Sequence, residues 1–215
     1  MRLTLFGATG RTGRPLTEQA LIAGHDVVAL VRDPAAFSLR DARLTVVQGD
    51  ALDAAAVARV VAPPGAPPAD AVLITLGHVT GSPPDVLARA AQNIVAAMTA
   101  AGVRRVVTES GAGVADARDP GGLGPALMQG VMKLVMGGLL ADATAHLDAL
   151  RASGLDWTAV RAPRLTTGPL TGQARTGYFS MGPGHSISRA DVAAVMLRLA
   201  TSAEYVGEAP HVTGA

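Results

Sequence analysis

Near its amino end the chain places small and cationic residues at a spacing that suits phosphate chemistry. The stretch LTLFGATGRTGRPL runs from an apolar segment into Gly7, Gly10, Gly13, Arg11 and Arg14. Between a strand and a helix, such glycines give a tight turn, a close approach of backbone to a pyrophosphate, and close helix packing. The exposed amides and the dipole at the helix start then favour an anion. The stretch predicts a dinucleotide phosphate loop; a purely structural turn is the alternative.

The end of the second apolar run bears on the choice between NAD and NADP. A carboxylate at this point bonds the ribose hydroxyls, whereas an arginine accommodates the 2′-phosphate. In VRDP, Arg32 occupies that position and Asp33 follows it. The planar guanidinium suits a phosphate dianion, although Arg32 could instead be solvated or paired with Asp33. The sequence therefore favours NADP(H), and Arg11 adds positive charge from the glycine turn.

Alternating apolar runs and alanine-rich amphipathic stretches must position this loop. Strands are predicted over 2–6, 26–31, 43–48, 70–75, 104–109 and 155–163. Helices are predicted over 12–25, 53–61, 84–101, about 126–152 and 189–201. The strand segments are continuous aliphatic runs rather than alternating patterns, which is typical of strands buried on both faces. The prediction is an α/β, doubly wound parallel sheet of the Rossmann type with helices on both faces.

The carboxyl-terminal half has a different pattern, with breakers over 114–124 and a glycine-rich stretch over 170–188. Ser188 is expected to cap the last helix, with Asp191 as its partner three residues on. Methionines at 128, 132 and 136 form a stripe at helical spacing. This pattern favours packing in the core over contact with a substrate. We expect one domain over 1–215, with a small elaboration on the substrate side over about 114–215.

Composition excludes several classes of function. The chain has 215 residues, 49% of them hydrophobic, a formal net charge of +1 and no cysteine. Thiolate metal sites and disulfides are therefore excluded, and no basic run supports nucleic-acid binding. The first strand begins at once after Met1, and no stretch is apolar enough to span a bilayer. We expect a soluble, cytoplasmic protein with a small-molecule partner, without nucleic acid or membrane partners and without a metal.

Five segments resemble those of atypical short-chain dehydrogenases/reductases of the NmrA-like NAD(P)-binding group. They are LFGATGRTG, VALVRDP, VVQGDALD, AAQNIVAAM and LRASGLDWTAVRAPRLTTGPLTG. The likeness covers nearly the whole chain and is greatest to the flavin reductase/biliverdin-IXβ reductase family. It implies an NADPH-dependent reductase that uses a flavin (FMN or riboflavin) or a similar conjugated acceptor, and a monomer or weak dimer.

The resemblance also assigns the cofactor contacts. For the pyrophosphate it implies Gly7, Thr9, Gly10, Arg11 and Thr12. It implies that Arg32 binds the 2′-phosphate and that Asp50 and Ala51 border the adenine. Leu76, Gly77 and His78 are implied to lie along the cofactor ribose. Around the nicotinamide it implies Ser110, Gly111, Pro163, Arg164 and Leu165, with Ser110 and Arg164 closest to the chemistry. These residues follow the carboxyl ends of strands, where ligands bind in doubly wound sheets.

The chain lacks the tyrosine–lysine pair that most short-chain dehydrogenases use as acid and base. Neither Tyr178 nor Tyr205 precedes Lys133 by four residues. Flavins and tetrapyrroles accept hydride onto a conjugated system, so water can supply the proton. The flavin-reductase relatives tend to have a histidine where Arg164 stands, and arginine does not donate protons at neutral pH. Arg164 is therefore expected to bind an anionic group of acceptor or cofactor.

Other interpretations remain open at this point. The chain could be another enzyme of the same fold, such as a quinone reductase or an epimerase, or a redox sensor that binds NADP without turnover. His78 is equally a surface residue or a ligand contact. Asp142 and His146, four residues apart on a predicted helix, favour an exposed ion pair over a metal site.

Overall fold

The structure is a computed structural model that describes residues 1–121, 123–182 and 184–214, apart from the side chains of 123–129 and 131–133. Within these ranges, ten strands form two sheets. They are β1 (Arg2–Phe6), β2 (Asp26–Val31), β3 (Leu44–Gln48), β4 (Ala71–Ile74), β5 (Arg105–Gly111), β6 (Asp156–Ala162), β7 (Arg164–Thr166), β8 (Arg175–Gly177), β9 (Ser186–Ser188) and β10 (His211–Thr213).

The central sheet has the order β3-β2-β1-β4-β5-β6-β10-β8. Its first seven strands pair in parallel, and β8 pairs antiparallel to β10 at the edge. The strand order reverses between β1 and β4, which is where doubly wound sheets bind ligands. The predicted Rossmann-type fold is confirmed.

In the part of the chain that the structure describes, five α-helices cover the two faces of this sheet. They are α1 (Gly13–Ile22), α2 (Ala54–Val61), α3 (Val86–Ala101), α4 (Leu123–Arg151) and α5 (Arg189–Ala200). Apolar residues of α1 and α5 form one buried cluster with the sheet, and those of α2, α3 and α4 form the other. Both faces of the central strands are thereby removed from water, as their uninterrupted aliphatic sequences require.

The carboxyl-terminal region departs most from the predicted elements. The glycine-rich stretch contains β8 and β9, and β7 and β10 were not predicted either. Ser188 does cap α5, since its Oγ accepts a hydrogen bond from the Asp191 amide at 3.0 Å. The prediction that the methionine stripe packs in the core is wrong at Met136, which is 44% exposed at a kink in α4. The side chains of Met128 and Met132 lie outside the described residues.

No helix within the described ranges is long and apolar enough to cross a membrane.

Candidate cofactor site

The turn between β1 and α1 requires glycine at two positions for reasons of packing. Gly7 has φ +88°, and a Cβ there would lie 2.7 Å from the carbonyl oxygen of Thr75. At Gly13 a Cβ would lie 2.0 Å from the Gly7 carbonyl oxygen, so only glycine lets α1 approach β1 this closely. Gly10 differs, because the nearest atom to its Cβ position is the Gly7 oxygen at 3.0 Å and the next is 3.9 Å away. Apart from this contact with the Gly7 oxygen, the space beside Gly10 is open.

Backbone amides at the start of α1 are free to bind an anion. The Gly10 amide closes the turn onto the Gly7 oxygen at 2.9 Å. The next three amides, those of residues 11–13, have no acceptor in the described part of the chain. Thr12 precedes the helix, but its side chain does not cap it. Thr9 and Arg11 are exposed on the same turn. The predicted pyrophosphate residues thus lie together, with unsatisfied donors and the positive end of a helix dipole.

The adenosine end of the predicted site follows β2 and β3. The Arg32 side chain is exposed, and it forms no ion pair with any described residue. Asp33 is occupied otherwise: its Oδ1 accepts the Ala35 amide at 2.9 Å and caps a short turn. Pairing of Arg32 with Asp33, left open by the sequence, is therefore absent. Asp50 and Ala51 lie in the turn after β3, where Asp50 Oδ1 accepts the Leu52 amide at 2.9 Å.

The segment after β4 is tied to helix α4 through His78. Leu76 and His78 are half-buried and Gly77 is exposed. His78 Nε2 lies 2.9 Å from Asp142 Oδ2. The two Asp142 oxygens also accept the amides of Leu87 and Ala88, both at 2.9 Å, at the start of α3. Asp142 therefore caps α3 from a neighbouring helix and holds the segment that the resemblance places along the cofactor ribose.

The expectation of an exposed ion pair between Asp142 and His146 is wrong. Both side chains are buried between α3, α4 and the sheet. His146 instead contacts Thr108 Oγ1 through Nε2 at 2.9 Å and the Leu87 carbonyl through Nδ1 at 3.1 Å. Burial lowers the pKa of His146, so the neutral ring is favoured. Among the described residues no group of three or more His, Cys, Asp or Glu side chains is placed to hold a metal ion.

The candidate nicotinamide face lies where β5 and β6 end side by side. Ser110 pairs with Arg161 and Gly111 with Ala162 in the parallel ladder, immediately before Pro163. Ser110 is half-buried and Gly111 is exposed. The next residues, Arg164 and Leu165, begin β7, where the Arg164 side chain is exposed and Leu165 is half-buried. The structure thus brings these five predicted residues to one edge of the sheet, next to the glycine turn.

The model of the NAD(P)H-binding family matches residues 7–203. The chain belongs to the NAD(P)H-binding family. A curated relative, the 3-diazoavenalumate denitrifying reductase of a Streptomyces species, is 38% identical over 119 residues, which are 51% of this chain and 38% of that protein. The chain therefore spans well under half the length of this relative.

Solved structures similar to this NAD(P)H-binding protein cover it almost completely. The anaerobillin reductase ChuY of Escherichia coli O157:H7 has a TM-score of 0.80 and 25% identity, covering 99% of this chain and 96% of its own. A short-chain dehydrogenase/reductase of Veillonella parvula, solved in complex with NADP, has a TM-score of 0.76 and 19% identity, covering 98% and 93%. The resemblance to atypical short-chain dehydrogenases/reductases is confirmed.

Glu109 is a residue of this NAD(P)H-binding protein that the sequence did not single out. It lies one position before Ser110, and its Oε1 accepts a hydrogen bond from Thr12 Oγ1 at 3.2 Å. Burial raises its pKa to about 7, against smaller opposing effects of Thr12 and Arg189. The signal available in the sequence was a carboxylate at the end of an otherwise apolar strand, RVVTE.

Arg161 is a second unpredicted feature and is fully buried near the end of β6. Its guanidinium donates to both oxygens of Asp119 and, at 2.6 Å each, to the carbonyls of Val114 and Ala209. Burial acts to raise the pKa of Asp119, but the hydrogen bonds from Arg161 and the Asp116 amide hold it below its usual range. This ion pair fixes the loop after β5 beside the candidate nicotinamide face.

Proposed function

We propose that this NAD(P)H-binding protein is an NADPH-dependent reductase that transfers hydride to a flavin or a similarly conjugated acceptor. The observation that carries the cofactor assignment is the set of free amides at residues 11–13 beside the open space at Gly10. A pyrophosphate fits this position because the donors have no other partner and the helix dipole favours negative charge. The exposed and unpaired Arg32 supports NADP(H) over NAD(H).

Each part of the chain has a distinct role in this proposal. The glycine turn binds the pyrophosphate, Arg32 binds the 2′-phosphate, and the segment of Leu76, Gly77 and His78 lies along the ribose. When bound, the nicotinamide supplies a hydride. Ser110 and Gly111 border that ring, and Arg164 binds an anionic group of the acceptor.

The positions of the tyrosines support an acceptor that needs no acid from the protein. Tyr178 Oη accepts the Ala209 amide at 3.0 Å, and burial raises its pKa above the usual value. Tyr205 Oη donates to the Thr176 carbonyl at 3.3 Å. Both hydroxyls thus hydrogen-bond to backbone groups near β8 and β10, Tyr178 as an acceptor and Tyr205 as a donor. A conjugated acceptor takes the hydride as a delocalised anion and then a proton from water, whereas a ketone needs an acid at its oxygen.

The names of two relatives agree with reductase chemistry of this kind. One is a reductase of a diazo compound and the other a reductase of anaerobillin. Neither name identifies the acceptor of this chain.

The test is NADPH oxidation at 340 nm with FMN, riboflavin and a panel of aldehydes and ketones under identical conditions. We expect turnover with the flavins and little with the carbonyl compounds. Arg164→Ala should reduce kcat/KM for FMN more than for riboflavin, because only FMN carries a phosphate, and Arg198→Ala serves as the exposed-arginine control. Rapid ketone reduction with inert flavins would contradict the proposal. Tight NADPH binding without turnover on any acceptor would favour the sensor.

A further inference from the structure

The Glu109 carboxylate lies directly below the loop that is proposed to bind the pyrophosphate. Glu109 is on the same face of β5 as Val107, which packs in the cluster formed with α1 and α5. Its Oε1 accepts the hydroxyl of Thr12, the residue that precedes α1. The carboxylate and the bound pyrophosphate would therefore share the amino end of one helix.

The surroundings of Glu109 contain little to compensate its charge. From α1 it meets the neutral Thr12 hydroxyl, and in the adjacent strand β6 Val160 lies opposite it. The charged group that acts on it from α5 is Arg189, whose Nη1 also donates to the Thr166 carbonyl at 3.1 Å. No lysine or arginine in the described ranges lies within ion-pair distance of Glu109. Burial consequently outweighs the favourable contacts and raises the pKa of Glu109 to about 7.

We propose that Glu109 takes up a proton when the dinucleotide binds, so that the cofactor binds more tightly as the solution becomes more acidic. The inference rests on the proposed cofactor site. A pyrophosphate brings two negative charges to the helix end that Glu109 already faces, and like charges disfavour the ionised carboxyl. The neutral carboxyl also keeps a hydrogen-bond partner, because its carbonyl oxygen accepts from Thr12 as the carboxylate does.

The sign of the pH dependence follows from linkage. The pKa of Glu109 is about 7 in the free protein and higher in the complex. Below pH 7 Glu109 is protonated in both the free protein and the complex, so its titration does not make the affinity depend on pH. Above pH 7 the free protein has lost the proton that the complex retains, so Kd rises by up to about tenfold per pH unit until the pKa of the complex is passed.

Calorimetry of NADPH binding at pH 8.0, in HEPES and in Tris, measures the protons taken up directly. At this pH the 2′-phosphate, with a second pKa of about 6, stays ionised whether free or bound. If binding raises the Glu109 pKa by one unit, from about 7 to about 8, the uptake is roughly 0.4 proton per cofactor. We expect at least this uptake, together with a Kd that rises from pH 7 to pH 8.5.

Three variants separate a titrating Glu109 from a structural one. Glu109→Gln keeps the shape and an acceptor for Thr12 but cannot titrate, so uptake at pH 8.0 should vanish and Kd should become independent of pH. Thr12→Val removes the donor that favours the ionised carboxyl, so the pKa of Glu109 rises and the pH above which Kd begins to increase should move upward, a test that holds even if the Gln variant does not fold. Glu18→Gln, an exposed carboxylate on α1 paired with Arg14, should behave as wild type.

The outcomes distinguish this inference from the proposed function. Tight NADPH binding with an uptake below about 0.1 proton, or with the same uptake in Glu109→Gln, would overturn the role of Glu109 and leave the cofactor site standing. Failure of wild type to bind NADPH at any pH would overturn both.

Discussion

Replacing Arg32 by alanine tests how the chain selects its cofactor. Arg32 follows β2 with an exposed side chain, and no described residue pairs with it. A hydrogen bond to a charged group contributes about 1.5–3 kcal/mol. Because the guanidinium is exposed and screened by solvent, the lower end applies, and about 1.5 kcal/mol corresponds to roughly a tenfold rise in Kd for NADPH. The Kd for NADH should stay within about twofold, since NADH has no 2′-phosphate.

Fluorescence titration of NADPH and NADH at two ionic strengths provides the measurement. The loss for NADPH should shrink at high salt, because an exposed charge contact is screened. Arg43→Ala is the matched control, because Arg43 is another exposed arginine and is paired with Asp41 at 3.5 Å. Arg43 directly precedes β3, so it lies at the opposite ends of the strands from Arg32. An equal loss of both nucleotides in Arg32→Ala would refute the assignment of Arg32 to the 2′-phosphate.

Two further variants test the glycine turn and the contacts of Asp142. Gly10→Val should abolish binding of NADPH and NADH in titrations, because a side chain fills the open space beside the free amides. The control Gly130→Ala, at an exposed position of α4, should bind both nucleotides as wild type does. Retained affinity in Gly10→Val would exclude the phosphate loop. Asp142→Asn should lower the free energy of unfolding in urea by about 1–3 kcal/mol, because a charged acceptor for two α3 amides is lost. The control is Asp148→Asn at an exposed position, which should change the free energy of unfolding by less than about 0.5 kcal/mol. Equal effects of the two variants would show that the contacts of Asp142 do not stabilise the fold.

The parallel core of the fold was predictable because its sequence signal is local. Six apolar runs and the glycine turn define strands β1 to β6 and the start of α1. The three-residue strands β7 to β10 carry no such signal, since segments this short pair only where tertiary structure brings a partner alongside. The resemblance supplied most of the site residues and their individual roles, and these residues follow strand ends, where the topology rule for doubly wound sheets places ligands.

The polar interactions inside the protein were not predictable from spacing. Asp142 and His146 lie four residues apart on one helix, and this spacing does not reveal whether that face meets solvent or another helix. Packing of α4 against α3 buries both, and both then bond to the backbone of Leu87 on α3, Asp142 to its amide and His146 to its carbonyl. Glu109 was missed for a related reason: only the packing of α5 against β5, together with the Thr12 turn before α1, withdraws its side chain from solvent.

Consecutive residues at the end of β5 connect three parts of the candidate site. Thr108 contacts His146 and thereby the α3 and α4 side of the sheet. Glu109 contacts Thr12 and thereby the phosphate loop on the opposite side. Ser110 lies beside the end of β6 at the candidate nicotinamide face. Because adjacent residues of a strand point to opposite faces, one short segment bonds to both helical layers and also borders the candidate nicotinamide face. The proton uptake proposed for Glu109 would therefore change the charge one residue away from Ser110, so that the strand proposed to border the acceptor would also respond to the arrival of the cofactor.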